Sequence, residues 1–370
     1  MNPSVNEFSL RGKLTLNLRL AQGRVAGVEI VSTRPQAAFL LKGKTPQQAV
    51  HLAPLIFSLC GGAQGVAAQA ALLAATGAVA DEAQLARWAG AIRREASTEH
   101  LWRLMLDWPQ YFGMDRLEAE YASCRMHCLT ASNDEAHAAA LQTAMLPLLG
   151  MPAQDWLALD LHAFAAWRDE SPSLGARLLR RLEKMPLAGR SNAPFLPGTV
   201  AQDWAGYLAG LKEVGTLEFC KLPAWRGEPR ETGALARQHG NSLVAPLLAD
   251  GRRVEARLLA RLVELAQWAS GEAGRAQDWV DAVPCGPDAG VARAETARGV
   301  LLHRARVEHG AIADYAVVAP TEWNFHPRGT FAIEAKCLEG QGEAALMHMA
   351  QGLALSLDPC VEYEVVPERV

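Results

Sequence analysis

Two short stretches of this 370-residue chain carry residue types suited to holding a soft metal. Residues 58–65 read SLCGGAQG, where Cys60 precedes glycines that let the backbone turn tightly or approach a ligand closely. The stretch lacks the Lys-Ser/Thr of a phosphate loop, and a lone buried cysteine behaves as a small hydrophobe. Residues 356–365 read SLDPCVEYEV, which sets Cys360 after Asp358-Pro359 and puts Tyr363 where a CxxC motif would have its second thiol. In CRMHC, Cys124 and Cys128 share one helix face while His127 points elsewhere. No second ligand pair lies nearby, so these thiols read as a structural pair rather than a zinc site. Cys220, Cys285 and Cys337 have no partnering motif, and His303, His309 and His326 match no ligand spacing, so both groups read as ordinary core or surface residues. Serine-hydrolase, phosphate-loop and dinucleotide-binding signatures are absent.

The elements that must position these residues differ along the chain. LTLNLRL (14–20) alternates apolar and polar residues, and RVAGVEIV (24–31) follows Gln22-Gly23, which predicts a β-hairpin. Helical patterns dominate from about 45 to 270. EHLWRLMLDW (99–108) puts Leu101, Leu104 and Met105 on one face with Pro109 ending the helix, and RRVEARLLARLVELAQWA (252–269) is a long amphipathic helix. Residues 185–197 and 279–289 read as loops. Farther on, RGVLLHRARVEHGAIADYAVVAP holds two strand-like runs about a His309-Gly310 turn, and VEYEVV alternates like a strand before an exposed VPERV tail. The chain thus reads as one domain over 1–370: a β-rich segment about 9–41, a helical body about 45–290 and an α/β segment about 291–370. A site using both Cys60 and Cys360 requires the two ends of such a chain to meet.

Composition removes several function classes. Lys plus Arg number 36 against 40 Asp plus Glu, a net charge of -4, with no basic cluster to draw nucleic acid or an anionic membrane. The N-terminus lacks the apolar core of a signal peptide. The most apolar long run, VAAQAALLAATGAVA (66–80), is too short and Ala-rich to span a bilayer and is interrupted by Gln69 and Gly77. Seven scattered cysteines make no disulfide framework, so a reducing cytoplasm is the expected compartment.

The segment 295–328 adds a resemblance. ETARG, the hairpin, VVAPTEWN and HPR resemble the large subunit of [NiFe] hydrogenases, whose pattern there is Glu-Ala-Pro-Arg-Gly, a hairpin, Val-Pro-Thr-Thr-Trp-Asn and Pro-Arg. DPCVEYEV is similar to that family's terminal Asp-Pro-Cys-x-x-Cys-x-x-His, and SLCGGA to its Arg-x-Cys-Gly-x-Cys. LRGKL (10–14), KGKTPQQA (42–49) and TGALAR (232–237) resemble its Glu-Gly-His-Leu, Gly-Arg-Asp-Pro and Gly-Pro-Leu-Ala-Arg stretches. The matches run in family order over both ends and part of the middle. They imply an α+β, mostly helical fold, a large-subunit-like helical body with small β elements from both chain ends.

The departures narrow the function. The family's site needs four thiolates, two of them bridging nickel to iron. Here the first cysteine of each pair remains, as Cys60 and Cys360, while Ala63 and Tyr363 stand where the bridging thiols would be. Arg11 replaces a proton-relaying Glu, and Val366, with four residues after it, replaces the His before the family's cleavage point, so neither turnover nor processing is expected. The family's iron carries cyanide and carbon monoxide, and the residues that donate hydrogen bonds to the cyanides correspond to Arg298 and Thr321. A planar, always-charged fork and a neutral hydroxyl both suit that task. This combination resembles hydrogenase expression/formation proteins of the HupK/HoxV type, degenerate large-subunit homologues. The implied role is a non-catalytic scaffold in [NiFe] hydrogenase maturation that transiently carries the Fe(CN)2(CO) unit and no nickel. Cys60 and Cys360 would hold the iron, and Arg298 and Thr321 would anchor its cyanides. The implied partners are the large-subunit precursor and maturation chaperones of the HypC/HypD type. The alternative is a metal-free module that docks such chaperones or hydrogenase subunits. Glu99 reads as part of a solvated helix face, and the family match around it and His100 is loose.

Overall fold

The computed structural model describes residues 12–57, 60–185, 191–209 and 213–368, so the Arg11 position lies outside the described residues. Alternation builds the first strand, β1 (Lys13–Ala21): Leu14, Leu16 and Leu18 point into the core and the residues between them face outward. Gln22 and Gly23 both take positive φ, the turn type that suits strand twist, and β2 (Arg24–Ser32) returns antiparallel as the sequence predicts.

The helical body follows. Helix α1 (Pro46–Ile56) starts from a Thr45/Gln48 capping box. Helix α2 (Gly61–Ala75), capped at Cys60, is rich in alanine and mostly buried. Its glycines serve close packing rather than a turn. A Cβ at Gly61 would stand 3.0 Å from the Pro54 carbonyl oxygen, and one at Gly65 2.9 Å from the Pro54 ring. Helix α3 (Glu82–Trp102) does not stop at Pro109. It runs through a π-turn (Arg103–Asp107) into a short helix, Trp108–Tyr111, where Pro109 occupies a first-turn position that needs no N–H donor. Helices α4 (Glu118–Thr130) and α5 (Asp134–Leu149) complete this side. Helix α6 (Arg253–Ala269) departs from an ordinary amphipathic helix, because its charged residues Arg253, Glu255, Arg257, Arg261 and Glu264 are buried along with its leucines.

Four antiparallel strands form a second sheet in sequence order: β3 (Val280–Gly286), β4 (Ala289–Thr296), β5 (Gly299–Glu308) and β6 (Ala311–Val318). β3 replaces the loop expected at 279–289. It is an edge strand whose register slips between Pro284 and Gly286, which is how a sheet tolerates proline. His309 and Gly310 turn the chain with positive φ, as expected. The sheet lies directly on α2, and a Cβ at Gly290 would be 2.2 Å from the Ala71 carbonyl oxygen. Helix α7 (Glu343–Leu357) leads through Asp358 and Cys360 to β7 (Glu362–Glu368). β7 pairs parallel with β1, from Lys13 opposite Glu362 to Arg19 opposite Glu368, giving the sheet order β2-β1-β7. The fold is therefore mostly helical α+β, and the two chain ends are joined in one sheet. Among the described residues, no helix is long and apolar enough to cross a membrane.

Candidate metal centre

The four residues singled out in the sequence meet at one buried locus. Cys60 sits at the start of α2, Cys360 between α7 and β7, Arg298 in the β4–β5 turn, and Thr321 on the short helix Pro320–Asn324 that follows β6. The Thr321 hydroxyl donates to Cys360 Sγ at 2.9 Å and accepts the Cys360 N–H at 3.0 Å, which fixes that thiol from both sides. Burial, then the nearby Cys360 charge and then Glu95 push the Cys60 thiol up to about 12, so the two sulfurs are electrostatic neighbours. The Gln64 amide donates to Cys60 Sγ at 3.4 Å. Its oxygen meets His303 Nε2 at 2.8 Å, and His303 Nδ1 meets the Tyr315 hydroxyl at 2.7 Å. Burial holds His303 neutral by lowering its pKa to about 3, so Nε2 donates to Gln64 and Nδ1 accepts from Tyr315. A relay of polar groups thus fixes one thiol to the second sheet.

Arg298 is held just as firmly. Its Nε donates to Asp358 at 3.1 Å and its Nη2 to Glu99 at 2.6 Å. Burial works against its charge, but Asp358, Glu99 and the two thiols more than offset that and raise its pKa. Asp358, in a left-handed conformation at φ 55°, also accepts from Arg103 Nε at 2.7 Å. Burial would raise the Asp358 pKa, yet Arg103, Arg298 and Arg261 hold it far below the usual carboxylate range. Glu99 is therefore not on a solvated face, because its half-buried carboxylate orients Arg298. The adjacent His100 turns away, stacks on Trp268 and meets Glu264 at 2.9 Å.

Sequence reasoning missed several neighbours. Glu95 accepts the backbone N–H groups of Gly62 at 2.8 Å and Ala63 at 2.9 Å, satisfying the exposed donors of α2 beside Cys60. Gly62 leaves the room this requires, since a Cβ there would sit 3.1 Å from Glu95 Oε1. Arg34, in the segment after β2, donates from Nη1 to Cys360 Sγ at 3.3 Å and stands 3.7 Å from Glu322. No spacing pattern announces Arg34, whereas the Cys-Gly-Gly run was a usable signal for a carboxylate cap. Tyr363 stands on the far side of Cys360 in β7. Burial, with Arg103, Asp107 and Asp358 as its charged neighbours, pushes its phenol up to about 12.

The remaining thiols stay apart. Cys124 and Cys128 are buried on α4, Cys124 lies 3.4 Å from the Thr143 hydroxyl, and His127 points to solvent. His326 Nδ1 accepts from the Arg328 N–H at 3.0 Å, and His309 is an exposed turn residue. Among the described residues no cluster of three or more His, Cys, Asp or Glu side chains is placed to hold a metal. Cys60 and Cys360 together offer a soft metal at most two thiolates, with hydrogen-bond donors from Thr321, Gln64 and Arg34 beside them.

The chain is similar to known proteins at three levels. A family model described as nickel-dependent hydrogenase matches residues 252–353. Over nearly the whole length, the chain is 32% identical to the hydrogenase expression/formation protein HoxV of Cupriavidus necator, covering 95% of each chain. It is 33% identical to HupK of Rhizobium leguminosarum bv. viciae, covering 96% of each. In three dimensions it overlays the Ni-Fe-Se hydrogenase of D. vulgaris Hildenborough with a TM-score of 0.57 at 16% identity, over 92% of this chain and 94% of that one, a likeness of fold.

Proposed function

The chain belongs to the family of hydrogenase expression/formation proteins, and from that premise we propose that it is a non-catalytic assembly scaffold in [NiFe] hydrogenase maturation. Its cargo is the Fe(CN)2(CO) unit, carried transiently in the cytoplasm on the way to the large-subunit precursor. The observation that carries this reading is the convergence of Cys60, Cys360, Arg298 and Thr321, drawn from four separate parts of the chain, on one buried locus. Cys60 and Cys360 supply two thiolates to the iron, which soft, low-spin iron accepts. The Arg298 guanidinium and the Thr321 hydroxyl donate to cyanide nitrogens, and Glu99 and Asp358 keep that fork aimed. Ala63 and Tyr363 leave no bridging sulfur for a second metal, so nickel has no place in the cargo.

Release follows from the same features. Two thiolates make a weaker trap than a four-thiolate site, which favours transfer of the unit to a richer thiolate site. Chaperones of the HypC/HypD type are the matching donors of the iron unit.

The test is the infrared spectrum of the protein produced together with the maturation machinery. Cyanide and carbonyl stretching bands are expected, and they are expected to vanish in Cys60→Ala and in Cys360→Ala. Wild-type protein free of such bands under these conditions would point instead to a metal-free docking module.

A further inference from the structure

We propose that Arg34 is a selectivity residue that keeps bare divalent cations out of the Cys60/Cys360 pair, so that the site admits metal only as a unit carrying its own anionic ligands. The inference rests on the reading that these two thiols form the metal-holding pair. Arg34 Nη1 lies 3.3 Å from Cys360 Sγ. Its side chain is mostly buried, at 15% exposure, and contacts Cys360 directly. It reaches the site from the loop after β2, while Arg298 approaches from the β4–β5 turn and also feels both thiols. Cys360 thus has one fixed cation in contact with its sulfur, and the charge of a second acts on both thiols.

Carboxylates also stand near the pair, and Glu95 caps α2 beside Cys60, but the charged group in contact with Cys360 is the Arg34 guanidinium. Glu322 stands behind Arg34 at 3.7 Å, and Glu99 and Asp358 bind the edges of the Arg298 fork. A bare divalent cation bound by two thiolates would meet both guanidiniums at short range in a low-dielectric interior, where like charges repel strongly. A unit bearing two cyanides offers those guanidiniums acceptors instead. Arg suits such a post because its charge is permanent and its donors are fixed in a plane. The same residue therefore rejects one class of metal species and receives the other.

The apo protein tests this without any iron loading. Cobalt(II) is titrated in and thiolate-to-cobalt charge-transfer absorbance is read. Wild type and Arg34→Lys, which keeps the charge, are expected to show no such band at equimolar metal. Arg34→Gln combined with Glu322→Gln, which removes the ion pair together, is expected to bind cobalt at least about a hundredfold more tightly. Adding Cys60→Ala is expected to abolish that gain. The proposal is overturned if wild type already binds cobalt through Cys60, or if the double variant, folded by circular dichroism, gains nothing. A double variant that fails to fold leaves the wild-type and Arg34→Lys titrations as the decisive readings. The scaffold reading fails separately, through missing infrared bands in the co-produced wild type.

Discussion

Two buried clusters of arginines lie close together in this molecule, and they differ in what answers the positive charge. Around α6, Arg257 donates to both Glu231 and Glu334 at 2.7 to 2.9 Å, and Arg253 pairs with the same carboxylates. Arg237 binds Glu264 through two nitrogens, at 2.6 and 2.9 Å, and reaches Glu295 at 2.8 Å. For these three arginines carboxylates face guanidiniums directly, while Arg261 donates to the backbone carbonyls of Arg257 and Ser356, and the arrangement ties helices together. At the thiol locus, Arg298 also pairs with two carboxylates, but Arg34 lies against the Cys360 sulfur at 3.3 Å and 3.7 Å from Glu322. The first arrangement pairs guanidinium with carboxylate, while the second sets a guanidinium against a thiol. Burial and arginine content do not separate structure from function here; the identity of the acceptor does.

Breaking the carboxylate-paired cluster tests the comparison most strongly. Glu231→Gln strands part of the charge on Arg253 and Arg257, and a loss of about 4 kcal/mol in chemical denaturation is expected, with cyanide-band intensity per folded molecule unchanged. Loss of those bands in the folded variant would show that the clusters are not separable.

Acid makes a graded version of the same cut. Burial would raise the Glu264 pKa, but Arg237 and His100 bring it down to about 2, from an ordinary value of 4.5. A depressed carboxylate stabilises the fold above its unfolded pKa and loses that contribution as pH falls through the folded one. Stability should therefore decline between about pH 4.5 and 2, by about 3 kcal/mol for this group. Denaturant titrations across that range should show a shallower decline in Glu264→Gln.

Much of this organisation was legible in the sequence. The hairpins at Gln22-Gly23 and His309-Gly310 follow from alternation plus turn residues that accept positive φ, and both formed as predicted. The meeting of the ends was legible as a demand: if Cys60 and Cys360 act together, something must join the termini, and β7 beside β1 does so. What stayed hidden depends on long-range partners. Glu99 looked like one more helix-surface acid because Arg298, which it binds, lies 199 residues away. Arg34 sits in a loop with no periodicity to read, and β3 was masked by Pro284 and Gly286, residues that normally mark a loop. The π-turn before Pro109 likewise arises from how the helix continues, which local propensity does not encode.

Smaller perturbations sharpen the contrast from the other side. Arg298→Lys keeps the charge but loses the fork. It should lower iron content about tenfold, read by metal analysis of co-produced protein, while changing stability by only about 1 kcal/mol. Cys124→Ala, in the thiol pair on α4, should cost about 1 kcal/mol and leave iron content untouched, which would confine the chemistry to Cys60 and Cys360.

The central claim, that these two cysteines hold iron, is tested most directly by counting sulfur around the metal. Iron K-edge X-ray absorption of the loaded protein should show two sulfur scatterers alongside diatomic ligands, falling to one or to no bound iron in Cys360→Ala. An iron shell without sulfur, or one unchanged in that variant, would contradict the account.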